Sequence, residues 1–186
     1  MMPEISLNIL DVAENSTRAK ASLIELSVTV DTKNDKLSVI LKDDGCGMSE
    51  EQLASVTDPF FTTRTTRRIG LGVPFFKQAA ESTGGTFSIT SRLNVGTTVC
   101  AVFTLSHIDR MPLGDMNSTV HSLVTMHPEC DFVYTFRFDD KEFSLDTREF
   151  REILGGIPFS EPEVSQYIKD YLTENYNETV DSSYKL

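Results

Sequence analysis

The residues best equipped for chemistry begin at Asp43-Asp44-Gly45-Cys46-Gly47-Met48. They follow Lys36 to Lys42, where Leu37, Val39 and Leu41 point one way and Ser38 and Lys42 the other, the pattern of a half-buried strand. A carboxylate at a strand end, then two glycines one residue apart, permits a sharp turn and close approach of a ligand to the backbone. Asp43 is then free to accept a hydrogen bond from a bound group. An Asp-Gly turn can also be a plain connection, so the weight falls on what accompanies it. Upstream, Asp11 and Asn15 are four residues apart and share one face of a predicted helix, with Arg18 a turn further along. Downstream, residues 57–68 (Thr-Asp-Pro-Phe-Phe-Thr-Thr-Arg-Thr-Thr-Arg-Arg) have neither helical nor strand period and read as a loop anchored by Phe60 and Phe61. Gly70-Leu71-Gly72-Val73-Pro74 then opens a helix whose early proline costs no hydrogen bond. Finally Val95-Gly96-Thr97-Thr98 joins two later strands.

The elements that must position these groups can be read in order. Ser6 is placed to cap a helix running to about Ala19, with Leu7, Ile9, Leu10, Val12 and Ala13 on its apolar side. Leu23 to Val30 alternates as a strand, and residues 32–35 turn it into the strand before Asp43. Ser49 with Gln52 makes a capping box for a short helix. The helix after Gly72 is stopped by Gly84-Gly85, and strands follow over Phe87 to Ser91 and Val99 to Leu105. Helix, two strands, helix, loop, helix and two strands make an α/β two-layer arrangement. After Ser106 the chain starts again: a helix within Gly114 to Met126, a strand through Phe132, Tyr134, Phe136 and Phe138, a turn at 139–141, and a second strand through Phe143 and Leu145. Asp146 caps a helix ending at Gly155-Gly156, and Ser160 with Glu163 makes a capping box for a last helix. The expected division is 1–106 as a ligand-binding domain and 107–186 as a small α/β extension, a candidate partner-binding module.

Composition narrows the function classes. The net charge of −11 argues against general nucleic-acid binding, which needs a basic footprint. Residues 1–106 carry 10 Lys and Arg against 12 Asp and Glu, whereas residues 107–186 carry 7 against 16, so most of the acidity lies in the second part. That part suits a basic partner, or simply a soluble surface. No apolar run reaches membrane-spanning length, and no signal peptide is expected. Cys46, Cys100 and Cys130 are scattered, fitting neither disulfides nor zinc, and suggest a cytoplasmic protein. His107, His121 and His127 lack metal-ligand spacing and read as surface or packing residues.

Taken in order and spacing, these motifs resemble the GHKL ATPase superfamily, which includes type II topoisomerases, MutL-type repair proteins, sensor histidine kinases and anti-sigma-factor kinases. The resemblance covers about Ser6 to Ser106 and implies an α/β two-layer sandwich that binds ATP or ADP with Mg²⁺. It implies that Asn15 holds the metal and that Arg18 meets the nucleotide phosphates. Asp43 would accept from the adenine amino group, with Gly45, Gly47 and Met48 beside the base and Thr97 supporting Asp43. Phe61 to Ile69 resembles the lid, with Phe61 and Arg64 reaching the nucleotide, and Gly70, Leu71 and Gly72 resemble the phosphate-binding helix start. A single Asn oxygen suits Mg²⁺, which keeps waters and phosphates as its other ligands.

Departures shape the functional expectation. Many hydrolysing relatives have Glu four residues before the metal asparagine; here Asp11, one methylene shorter, is the candidate base. The helix start has Arg68 where a leading glycine is usual. No hairpin with a phosphoacceptor His precedes the domain, so the expectation is a kinase acting in trans on another protein. The alternatives are a non-catalytic ATP/ADP-sensing switch and a slow ATPase. More narrowly, Asp43 to Met48, Thr57 to Gln78, His107 to Asp115 and Asp146 to Gly156 resemble stand-alone ATP-binding proteins found near iron-hydrogenase genes in anaerobic bacteria. That likeness implies a regulator or a hydrogenase-related complex as the protein partner.

Overall fold

Alternation of apolar and polar residues puts one face of every central strand into the core, and a single sheet results. The computed structural model of the chain describes residues 3–57, 72–184 and 186. In chain order the elements are α1 (Ile5–Arg18), β1 (Leu23–Asp31), β2 (Lys36–Asp43), α2 (Glu50–Val56), α3 (Gly72–Glu81), β3 (Thr86–Arg92) and β4 (Gly96–Thr104). They continue with α4 (Met116–Met126), β5 (Asp131–Phe138), β6 (Lys141–Asp146), α5 (Thr147–Ile153) and α6 (Pro162–Thr179). The strands lie in the order β3-β4-β2-β1-β5-β6. Ile24, Leu26, Val28 and Val30 of β1, Leu37, Val39 and Leu41 of β2, and Val99, Ala101 and Phe103 of β4 are buried together beneath the helices. Phe76 of α3 packs 5.9 Å, ring to ring, from Phe103.

The 107–186 segment forms no sheet of its own. β5 pairs in parallel with β1 from Leu23 opposite Asp131 to Val30 opposite Phe138, while the other pairings are antiparallel. A parallel neighbour needs a crossover, and α4 supplies it. His121 of α4 ties the layer together through Nε2 to Ser165 Oγ of α6 at 2.8 Å. Among the described residues no helix is long and apolar enough to cross a membrane.

Two helix starts differ from the sequence expectation. Helix α1 begins at Ile5 with Glu4 at its N-cap, so Ser6 lies inside the first turn and donates to the Glu4 carboxylate. The early N–H groups need no side-chain cap because Ile5 and Ser6 donate to the carbonyls of Pro112 and Leu113 at 3.0 and 2.8 Å. Helix α6 starts at Pro162 after Glu161, with no capping side chain; the fixed φ of proline initiates it in place of a Ser160 box. The Ser49–Gln52 and Asp146 caps form as the sequence implies.

The turn between α4 and β5 is clamped to α1 by His127. Its Nε2 lies 2.9 Å from Glu14 and its Nδ1 3.3 Å from Glu129. Partial burial opposes charge on the ring, but a carboxylate at each nitrogen outweighs it and raises the histidine pKa above its ordinary value of 6.5. A raised folded-state value stabilises the fold fully below about 6.5, and the gain disappears as pH rises through the folded value. Urea midpoints should therefore fall as pH rises from about 6 through the folded-state value of His127, modestly because Glu129 is exposed. His127→Gln should flatten that dependence; superimposable pH profiles for the two proteins would show that the clamp carries no charge.

Candidate functional site

Register brings the candidate residues to one end of the sheet. Asp43 is the last residue of β2 and continues the inward parity of Leu37, Val39 and Leu41. It pairs with Ile24 of β1 on one side and Thr97 of β4 on the other, and Thr97 in turn pairs with Ser91 of β3. Thr97 is therefore a strand residue, not part of the connecting loop, because β4 already begins at Gly96. A polar row, Asp43–Thr97–Ser91, closes the inner face where the apolar rows end.

Asp43 is only 7% exposed. A buried carboxylate is costly unless hydrogen-bonded, and here each oxygen has one donor. Oδ2 accepts from the Ser16 hydroxyl at 2.6 Å and Oδ1 from the Gly45 N–H at 2.9 Å. A carboxylate oxygen can accept more than one hydrogen bond, so acceptor capacity remains on both oxygens. Ser91 organises the far side: its hydroxyl donates to Gly96 O at 3.0 Å, lies 2.9 Å from Thr97 Oγ1, and accepts from the Met48 N–H at 2.8 Å.

The loop after Asp43 is held by the protein on both flanks. Asp44 accepts from the Ser22 and Leu23 N–H groups at 2.7 and 2.9 Å and from the Ser22 hydroxyl. Its slight burial works against ionisation, but these donors win and lower its pKa below the usual carboxylate range. Cys46 N–H donates to Ala19 O at 3.0 Å, at the end of α1, and Cys46 O accepts from Asn94 N–H at 2.7 Å. Gly47 has φ +63, and a Cβ there would lie 2.0 Å from Arg92 O; at Gly45 it would sit 3.0 Å from Ala19 and from the Asp43 carboxylate. The steric demand for glycine thus comes first from the loop's own seat between α1 and the β3–β4 hairpin. Any ligand contact is additional.

Helix α1 carries the second group of residues. Asp11 and Asn15 are half-buried one turn apart, and Arg18 is exposed. Arg18 Nη1 donates to Asn15 Oδ1 at 3.3 Å. Asp11 abuts the start of α3: a Cβ on Gly72 would fall 1.9 Å from its Oδ2, where the positive end of a helix favours a carboxylate. Among the described residues no group of three or more His, Cys, Asp and Glu could hold a metal. A divalent cation here would rest on the Asn15 oxygen plus ligands from solvent or phosphate, a donor set that suits Mg²⁺. The motif residues Phe61, Arg64, Gly70 and Leu71, with the rest of the expected lid, lie outside the described residues. Ser16 and Ser91 escaped the sequence reading. The available signals were a serine on the apolar side of α1, after Val12 and Ala13, and a serine at the inward position after Phe87 and Ile89.

Residues 3–107 match the family model described as histidine kinase-, DNA gyrase B- and HSP90-like ATPase. A Rickettsia conorii protein named as an NtrY-like sensor histidine kinase is 30% identical over 106 residues, which is 57% of this chain and 17% of that protein. The sensor protein RprX of Bacteroides fragilis is 31% identical over 96 residues, covering 48% of this chain and 18% of RprX. The Pseudomonas aeruginosa C4-dicarboxylate transport sensor protein DctB is 32% identical over 93 residues, covering 50% and 15%. The chain thus spans less than a fifth of the length of these relatives. Among solved structures, the Aquifex aeolicus MutL ATPase domain complexed with ADP superposes with a TM-score of 0.52 at 15% identity, over 83% of this chain and 70% of that one. The N-terminal domain of a DNA repair protein gives 0.57 at 13% identity, over 78% and 53%. At such identities the superpositions establish the fold.

Seating the loop at Gly47 yields a stability test. Gly47→Ala should cost more than about 1 kcal/mol, since it forces a side chain into the left-handed region and onto a backbone carbonyl. Cys46→Ser, next to it and exposed, should be near neutral. Equal urea midpoints for wild type and Gly47→Ala would show that the loop is not held as described.

Proposed function

Because the chain belongs to the histidine kinase-, DNA gyrase B- and HSP90-like ATPase family, we propose that it binds ATP with Mg²⁺ at the Asp43 end of the sheet and acts as a protein kinase in trans. The observation that carries the reading is the buried Asp43 carboxylate, fixed by Ser16 and Gly45 and flanked by Thr97. Such a carboxylate selects a ligand that offers a donor; adenine presents its amino group, whereas guanine would present an oxygen and leave both acceptors unpaired. Gly45, Gly47 and Met48 then border the base.

The metal, when bound, would offset phosphate charge and orient the transferable phosphoryl group. Asn15 would hold it through Oδ1, which now accepts from Arg18, and that guanidinium would be beside the site to pair with phosphate oxygens. Gly72, at the start of α3, presents N–H groups of the kind that receive phosphates. Asp11, one turn before Asn15, would take the proton when the acceptor on the partner is a hydroxyl.

The contact between Asp11 and the start of α3 favours a second reading. A base already engaged by a helix N-terminus is poorly placed for fast turnover, which suits a nucleotide-sensing switch or a slow ATPase whose output is conformational. In either case the acidic 107–186 segment is the part offered to a protein partner, whether a regulator or a hydrogenase-related complex.

Calorimetry with ATP, ADP and GTP tests the common premise. Adenine nucleotides should bind in preference to GTP, and Asp43→Asn should weaken ATP by about 1–3 kcal/mol. Equal affinities for ATP and GTP would remove the assignment. Transfer of labelled phosphate from ATP to a co-purified protein is required by the kinase reading alone.

A further inference from the structure

The turn between α5 and α6 presents apolar side chains that the fold does not use. Ile153 is 80% exposed, Ile157 49%, and Tyr167, which lies against Phe150, 55%. The presentation is built in. Gly155 and Gly156 have φ +61 and +84 and donate to Glu152 O and Arg151 O at 3.3 and 3.2 Å, closing α5 with a Schellman motif. A Cβ on either glycine would meet nothing within 4 Å, so the turn stands clear of the rest of the chain.

Carboxylates outnumber cations around this turn, and both of its arginines are already paired. Arg148 is folded back on Asp146 with bonds of 3.0 and 2.7 Å. Arg151 donates to Asp131 and Pro128 O, each at 2.9 Å, and lies 4.7 Å over the Phe159 ring. Glu149, Glu152, Glu161 and Glu163 are exposed, and none pairs with a cation among the described residues. The two arginines are already paired with Asp146 and Asp131, while unpaired carboxylates flank the exposed isoleucines.

The position is also telling. Helix α5 follows β6 at the sheet end where Asp131 and Phe132 stand beside Leu23 and Ile24, and Ile24 is the partner of Asp43. Two strand spacings, about 10 Å, separate Asp43 from the edge of β5 that α5 packs on.

We propose that the α5–α6 turn is the docking surface for a basic protein partner, which seats an apolar side chain between Ile153 and Ile157 and sets Lys or Arg against the four glutamates. A second copy of this chain would bring like charges together, and an anionic lipid surface would be repelled by the same rim. The inference deepens the trans-acting reading, since it places the partner at the nucleotide end of the sheet. The docking itself does not require nucleotide.

The test is a titration of the isotope-labelled full chain, followed by amide NMR without nucleotide, so that its failure leaves the nucleotide assignment standing and the reverse. The probes are a short amphipathic peptide of leucine and lysine, the same peptide with glutamate for lysine, and vesicles of phosphatidylcholine and phosphatidylserine. The lysine peptide should shift resonances concentrated in residues 149–167, more weakly as salt is added. The combined Ile153→Ser and Ile157→Ser variant should bind it at least about tenfold more weakly, and Glu149→Gln with Glu152→Gln should reduce the salt dependence. Equal response to the glutamate peptide, shifts spread over other acidic surfaces, vesicle binding, or self-association relieved by the isoleucine variant would each overturn the proposal.

Discussion

The hydrogen bond between Ser16 and Asp43, 2.6 Å long and buried, is the contact on which the rest of the site depends. It joins the last turn of α1 to the end of β2, so it fixes the helix with Asp11 and Asn15 relative to the sheet with Thr97 and Ser91. A charged acceptor makes it stronger than a neutral hydrogen bond, and burial makes its loss expensive. The groups gathered at this end of the sheet are referenced to it. The loop to Met48 is anchored by Asp44 on the α1–β1 junction and by Ser91 on β3, and Gly72 brings α3 against the same helix through Asp11.

The same bond, with the Gly45 N–H, lets the acid be buried. Its two present donors lie on the protein side, from α1 and from the turn. Thr97 stands beside it across the β2–β4 pair, and the apolar rows of the sheet continue the same inner face. A buried acceptor interacts more strongly than a solvated one, so it would discriminate more sharply between ligand edges.

Much of this was legible in the sequence because alternation writes burial directly. Leu37, Val39 and Leu41 set the parity that sends Asp43 inward, and the i,i+4 spacing of Asp11 and Asn15 sets them on one helix face. Ser16 and Ser91 were hidden because a lone serine on an apolar stripe has no local signature; their partners are 27 residues away in one case and across a strand pair in the other. Ser6 misled for a related reason: the groups that satisfy the start of α1 come from Pro112 and Leu113, far along the chain. The parallel pairing of β5 with β1 was likewise beyond reach, since alternation marks a strand without naming its neighbour.

The central claim is that Asp43 accepts a hydrogen bond from the adenine amino group. A thermodynamic cycle measures it most directly: binding of ATP and of purine riboside triphosphate, which lacks that amino group, to wild type and to Asp43→Asn. The account predicts strong non-additivity, with loss of the amino group weakening binding to wild type and scarcely affecting the variant, a coupling of at least about 1 kcal/mol. Losses that simply add would mean that the carboxylate and the amino group do not meet.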